Sequence, residues 1–92
     1  MRRRLDVIKN GLWTCRKKMG LSQKRVAYFL GLHCTSTLSR WEHGAKLPNL
    51  VNALKLSIAY RMPVAFLFPG YYQKLKKEIR EREERLAADR EE

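Results

Sequence analysis

Gly20-Leu21-Ser22-Gln23-Lys24-Arg25-Val26-Ala27-Tyr28-Phe29-Leu30-Gly31-Leu32, followed by Leu38-Ser39-Arg40-Trp41-Glu42-His43-Gly44, is the stretch that decides the fold. Ser22 is a good N-cap, because its hydroxyl can accept one of the backbone N–H groups that a first helical turn leaves unpaired. Val26, Ala27 and Leu30 then share one face of a helix over about 23–30, and Gly31 ends it. A second helix begins near Thr35 or Ser36, where several hydroxyl caps compete. Leu38 and Trp41, three apart, face the core, and Gly44 stops it. The small Ala27 lets the two helices cross closely. Two short helices around the tight turn Gly31-Leu32 are a recognisable supersecondary unit.

Working outward, a preceding helix is expected over about 5–18, with Leu5, Ile8, Leu12 and Cys15 as its apolar stripe and Gly20 as its left-handed terminus. Downstream, Pro48 can occupy the first turn of a fourth helix, about 48–60, with Leu50 or Val51, Leu54 and Ile58 inward. Met62-Pro63 breaks it. Pro63–Phe68 reads as a fifth helical turn or two, with Phe66 and Leu67 inward, and Pro69-Gly70 closes the globule. No strand-like alternation persists. The expected architecture is all-α, a compact five-helix domain over 1–70 and a charged helical tail over 71–92. In the tail, Glu78–Arg82 and Glu81–Arg85 are acid-first pairs at i, i+4 that support an exposed helix. Tyr72, Leu75, Ile79 and Leu86 fit a heptad seam only if Arg82 takes a core position. The segment is therefore read as a solvated helix fraying into a tail, in preference to a dimerising helix.

Charge is the strongest compositional signal. The chain of 92 residues carries a net charge of +11. Residues 1–70 hold 13 Lys/Arg against Asp6 and Glu42, so 13 − 2 = +11, and residues 71–92 hold seven of each sign, so 7 − 7 = 0. A basic domain on a neutral segment points to a polyanion bound by the domain alone. The apolar content supports a modest core without staples, and no apolar run suffices to span a membrane or to serve as a secretory leader. The protein is expected in the cytoplasm. Cys15 and Cys34 are expected to be reduced. Cys15, His33, Cys34 and His43 lack the spacing of a zinc site, so no metal and no cofactor are expected. No nucleophile–base pair, phosphate-binding glycine loop or acid cluster appears, which argues against an enzyme.

Four pieces in order, GLSQKRVAYFLGL (20–32), TLSRWEHG (37–44), LPNLVNALKLSIAY (47–60) and PVAFLFP (63–69), resemble the Cro/repressor type of helix-turn-helix, the XRE family of bacteria and their phages. The resemblance covers about residues 5–69 and implies a five-helix DNA-binding domain whose third helix enters the major groove. It puts Thr35, Ser36, Thr37, Ser39 and Arg40 on or near the base-contacting face. Arg40 could bond guanine O6 and N7, and Thr methyls could meet thymine methyls; Ser36 or Thr37 could instead cap the helix. It puts Gln23, Lys24, Lys46 and Asn49 on phosphates. It also pairs Glu42 with Arg16 as a structural ion pair. From Gly31 to Trp41 the chain holds one residue more than the commonest family spacing, within His33-Cys34-Thr35, which leaves the first base-contacting residue open by one position. Arg2, Arg3 and Arg4 read either as a DNA-tracking arm or as a basic terminus.

The function implied is sequence-specific binding of a double-stranded DNA operator, expected to be palindromic, by a transcriptional repressor that could dimerise through the fifth helix, through the C-terminal helix or only on DNA. The alternative is an antitoxin of a toxin–antitoxin pair, binding DNA through the same domain and a partner protein through 71–92.

Overall fold

Five aliphatic side chains with no solvent exposure, Leu12, Val26, Leu38, Leu56 and Leu67, define the centre of the molecule. In the computed structural model, which describes residues 10–90, each comes from a different helix. These are α1 (Leu12–Lys18), α2 (Gln23–Leu30), α3 (Ser36–Glu42), α4 (Leu50–Tyr60) and α5 (Val64–Leu67). A sixth helix, α6 (Pro69–Arg90), follows, and the described residues contain no strand. Leu30, Trp41, Tyr60 and Phe68 complete the core. Leu5, Ile8 and the arginines at 2–4 lie outside the described residues.

Four of the helices stop in the same way. After α1, α2 and α3 a glycine takes a positive φ, at Gly20, Gly31 and Gly44. Paired hydrogen bonds reach back into the last turn, as in Gly31 N–H to Tyr28 O and Leu32 N–H to Ala27 O. This double bond satisfies carbonyls that the helix end would otherwise leave unpaired. After α4 the same device is built on Arg61, at φ 55°, with Met62 N–H donating to Ser57 O.

The structure departs from the sequence expectations at four places. The first helix does not run through from residue 5: it starts at Leu12, with Gly11 as its N-cap. Asn10 Oδ1 accepts from Leu12 N–H, and Gly11 N–H donates to Leu67 O, so Asn10-Gly11 is a turn that aligns α1 with α5. In α4 the inward face is Ala53, Leu56 and Tyr60, while Leu50, Val51, Leu54 and Ile58 point outward, Ile58 being 75% exposed. Apolar residues occupy both faces of α4, so periodicity could not choose between them. In α5, Leu67 is buried and Phe66 is exposed; Phe68, just beyond the single turn, is the buried aromatic. Pro69 does not close the globule but opens α6, where a missing N–H costs nothing in the first turn. The expected charged helical tail is present, as one helix running from Pro69 to Arg90.

Candidate nucleic-acid interface

The geometry of α3 follows from two buried side chains. Leu38 and Trp41 fix which way the helix faces, so Ser36 and Arg40 are exposed and Thr35, Thr37 and Ser39 are half-buried at its margin. The N-cap position falls to Thr35, in helical φ/ψ, and no side chain caps the helix. The competition among hydroxyls at this terminus is thus resolved with none of them used as a cap. Ser36 Oγ instead lies 3.0 Å from Cys34 Sγ. That contact, then the Ser36 backbone N–H, holds the exposed Cys34 thiol below its usual pKa. At the other end, His43 Nδ1 lies 2.7 Å from Ser39 O, and in the tautomer that carries the proton there it donates to that carbonyl.

The C-terminal end of α3 is tied down from three directions. Arg16 Nε donates to Glu42 Oε2 at 2.6 Å, and Arg16 Nη2 donates to Glu42 Oε1 at 3.3 Å. The remaining Nη1 donates to Leu21 O at 3.0 Å. Both side chains are hidden, Arg16 at 8% and Glu42 at 3% exposure. Hydrogen bonding to Glu42 raises the Arg16 pKa further, so the guanidinium stays charged. Gln23 Nε2 also donates to Glu42 Oε1, at 3.0 Å, which joins the start of α2 to the end of α3. Asn10 Nδ2 donates to Trp41 O at 2.8 Å.

Of the residues read as phosphate contacts, Lys24, Lys46 and Asn49 are exposed and Gln23 is half-buried. Gln23 has two N–H donors on one nitrogen; one goes to Glu42 and the other remains for an acceptor outside the protein. Asn49 is the N-cap of α4: its Oδ1 accepts from Asn52 N–H at 2.8 Å, which leaves its amide N–H₂ facing solvent. Ser22 plays the same capping part at α2, accepting from Arg25 N–H. In both helices the amides just inside the cap stay unpaired, at the positive end of the helix dipole.

Between residues 10 and 70 Glu42 is the sole carboxylate, and it is buried against Arg16. Lys17, Lys18, Lys24, Arg25, Arg40, Lys46, Lys55 and Arg61 are all exposed. Among residues 10–70 no exposed acidic side chain competes with an external polyanion on this surface.

Contacts not anticipated from the sequence include two that position the site. Lys55 Nζ donates to Leu30 O, holding α4 against the end of α2, and nothing in the sequence marks it. Asn10 had a signal, since Asn-Gly is a turn dipeptide. Among the described residues no group of His, Cys, Asp and Glu is placed to hold a metal ion.

Over residues 14–67, more than half of the chain, the sequence matches the family model described as helix-turn-helix. Comparison with curated proteins finds no match.

Proposed function

The chain belongs to the DNA-binding helix-turn-helix family of the XRE, or Cro/repressor, type, and on that premise we propose that it represses transcription by occupying a palindromic operator. The family points to a non-enzymatic regulator. No helix among the described residues is long and apolar enough to cross a membrane, and the proposed location is the cytoplasm, on the nucleoid.

The observation that carries the reading is the uncapped, hydroxyl-rich face of α3 on a surface that, over residues 10–70, exposes no acid. Thr35, Ser36, Thr37, Ser39 and Arg40 are assigned to base edges. Gln23, Lys24, Lys46 and Asn49 are assigned to phosphates. DNA binding is assigned to residues 1–70, and 71–92 are assigned to a separate charged segment, whose described part lies in α6.

Selection of bound duplexes from a random pool, followed by a salt titration of the best sequence, tests the proposal. A palindromic consensus with a steep salt slope is expected. Arg40→Ala is expected to cost ~1–3 kcal/mol and to relax one base position, whereas Lys46→Ala should weaken all sequences alike and lower the salt slope by about 1. Binding of the selected duplex no tighter than that of random DNA would overturn the reading.

A further inference from the structure

α6 leaves the domain with an apolar stripe that no other described residue fully covers. Tyr72, Leu75, Ile79 and Leu86 are 47–57% exposed, and their spacing puts them on one helix face. In heptad terms Tyr72, Ile79 and Leu86 are a positions, and Leu75, Arg82 and Asp89 are d positions. The flanking e positions are Lys76 and Glu83, and the g positions are Glu78 and Arg85. Charge is also divided along the helix. Residues 71–80 hold four basic residues and Glu78, so 4 − 1 = +3; residues 81–90 hold three basic and four acidic residues, so 3 − 4 = −1.

We propose that α6 is a homodimerisation element and that two copies pair antiparallel through this stripe. The charge pattern selects the occupant and its direction. In a parallel pair, Arg82 would stack on Arg82, Asp89 on Asp89, and Glu78 would face Glu83. Antiparallel pairing with a opposite d sets Leu75 against the partner's Leu86 and Ile79 against the partner's Arg82. Tyr72 then lies beside the partner's Asp89. In this register the flanking pairs are Lys76 with the partner's Glu83 and Glu78 with the partner's Arg85, each repeated by symmetry, and all four are of opposite sign. Arg82, which spoils a parallel seam, rests its methylene stem on an isoleucine and keeps its charged head in water.

The same register brings the partner's Leu86 to the mouth of an apolar groove of 230 Å³ that Leu75 shares with Leu47, Pro48, Phe68 and Tyr71. It also sets the first residues of the two helices about 34 Å apart along their common axis. That is close to the spacing of half-sites one duplex turn apart. The pairing goes beyond the DNA-binding proposal and does not depend on it, because it is measured on the full chain without DNA.

Sedimentation equilibrium tests it. A reversible dimer is expected. Glu83→Lys turns two attractive contacts into repulsions and should weaken the dimer about tenfold. The double variant Lys76→Glu/Glu83→Lys restores opposite signs across the pair and should recover the original dissociation constant. Glu78→Arg with Arg85→Glu forms a second, independent swap. Far-UV circular dichroism checks that each variant stays helical. The proposal is overturned by a mass that stays that of one chain up to roughly 1 mM. It is equally overturned if Glu83→Lys leaves the dimer unchanged or tightens it, as a parallel pair would require, or if neither double swap recovers affinity.

Discussion

Replacing Glu42 by Gln keeps the shape of the side chain and removes its charge, which makes it a direct probe of what ties α3 to the rest of the domain. Glu42 accepts from Arg16 Nε, Arg16 Nη2 and Gln23 Nε2, and is 3% exposed. A glutamine can offer one carbonyl oxygen where the carboxylate offers two. Its N–H₂ group would face a guanidinium N–H, donor against donor. The buried guanidinium of Arg16 would be left uncompensated, a situation that costs ~3–5 kcal/mol. For a domain of this size, that corresponds to a fall in melting temperature of order 20 °C. Thermal unfolding followed by circular dichroism measures it. The decisive companion is Arg16→Met with Glu42→Leu, which removes both charges together and should unfold near the parent temperature, since the desolvation cost of the pair disappears with it. A Glu42→Gln melting curve that overlays the parent would refute the reasoning, as would a double variant no more stable than the single.

Three further outcomes follow from the structure. Tyr60 Oη is buried with no hydrogen-bond partner among the described residues, and burial pushes its phenol well above the ordinary range; Tyr60→Phe should therefore be neutral or stabilising by about 1 kcal/mol in urea unfolding, and a loss of that size would contradict it. Arg61 ends α4 in the left-handed region without glycine's freedom, so Arg61→Gly should raise stability by ~0.5–1 kcal/mol, the relief of backbone crowding exceeding the extra unfolded-chain entropy; a lower melting temperature would count against that balance. Cys34, exposed and held low by Ser36, should alkylate rapidly while buried Cys15 reacts only on unfolding. Because the thiolate is the reactive form, Ser36→Ala should move the labelling profile of Cys34 to higher pH, and mass spectrometry of the labelled peptides would show no shift if the contact were idle.

The helix ends were the most legible part of the fold, because each depends on one residue and its immediate neighbours. Ser22 and the glycines at 20, 31 and 44 mark boundaries by local chemistry alone. Faces were legible where only one was apolar, as in α3. They were not legible in α4, where Leu50, Leu54 and Ile58 compete with Ala53, Leu56 and Tyr60; the choice falls to tertiary contacts such as Lys55 with Leu30 O. Leu5, Ile8, Leu12 and Cys15 keep a helical rhythm across Asn10-Gly11, which masks the turn that starts α1 at Leu12. At the candidate site, exposure of α3 follows from Leu38 and Trp41. The bond from Gln23 to Glu42 joins residues 19 apart, and nothing in the spacing of a single sequence reports it.

The uneven anchoring of α3 has a mechanical consequence. Its far end is clamped by Asn10, Arg16 and Gln23, while its leading end carries no side-chain cap and follows the loop from Gly31 to Thr35. The helix is held like a cantilever, with stiffness concentrated at the root. Lengthening or shortening the loop from Gly31 to Thr35 moves the tip and leaves the root untouched. A lineage carrying this domain can therefore alter what the tip meets by loop length as well as by side chain, without reopening the packing of the core.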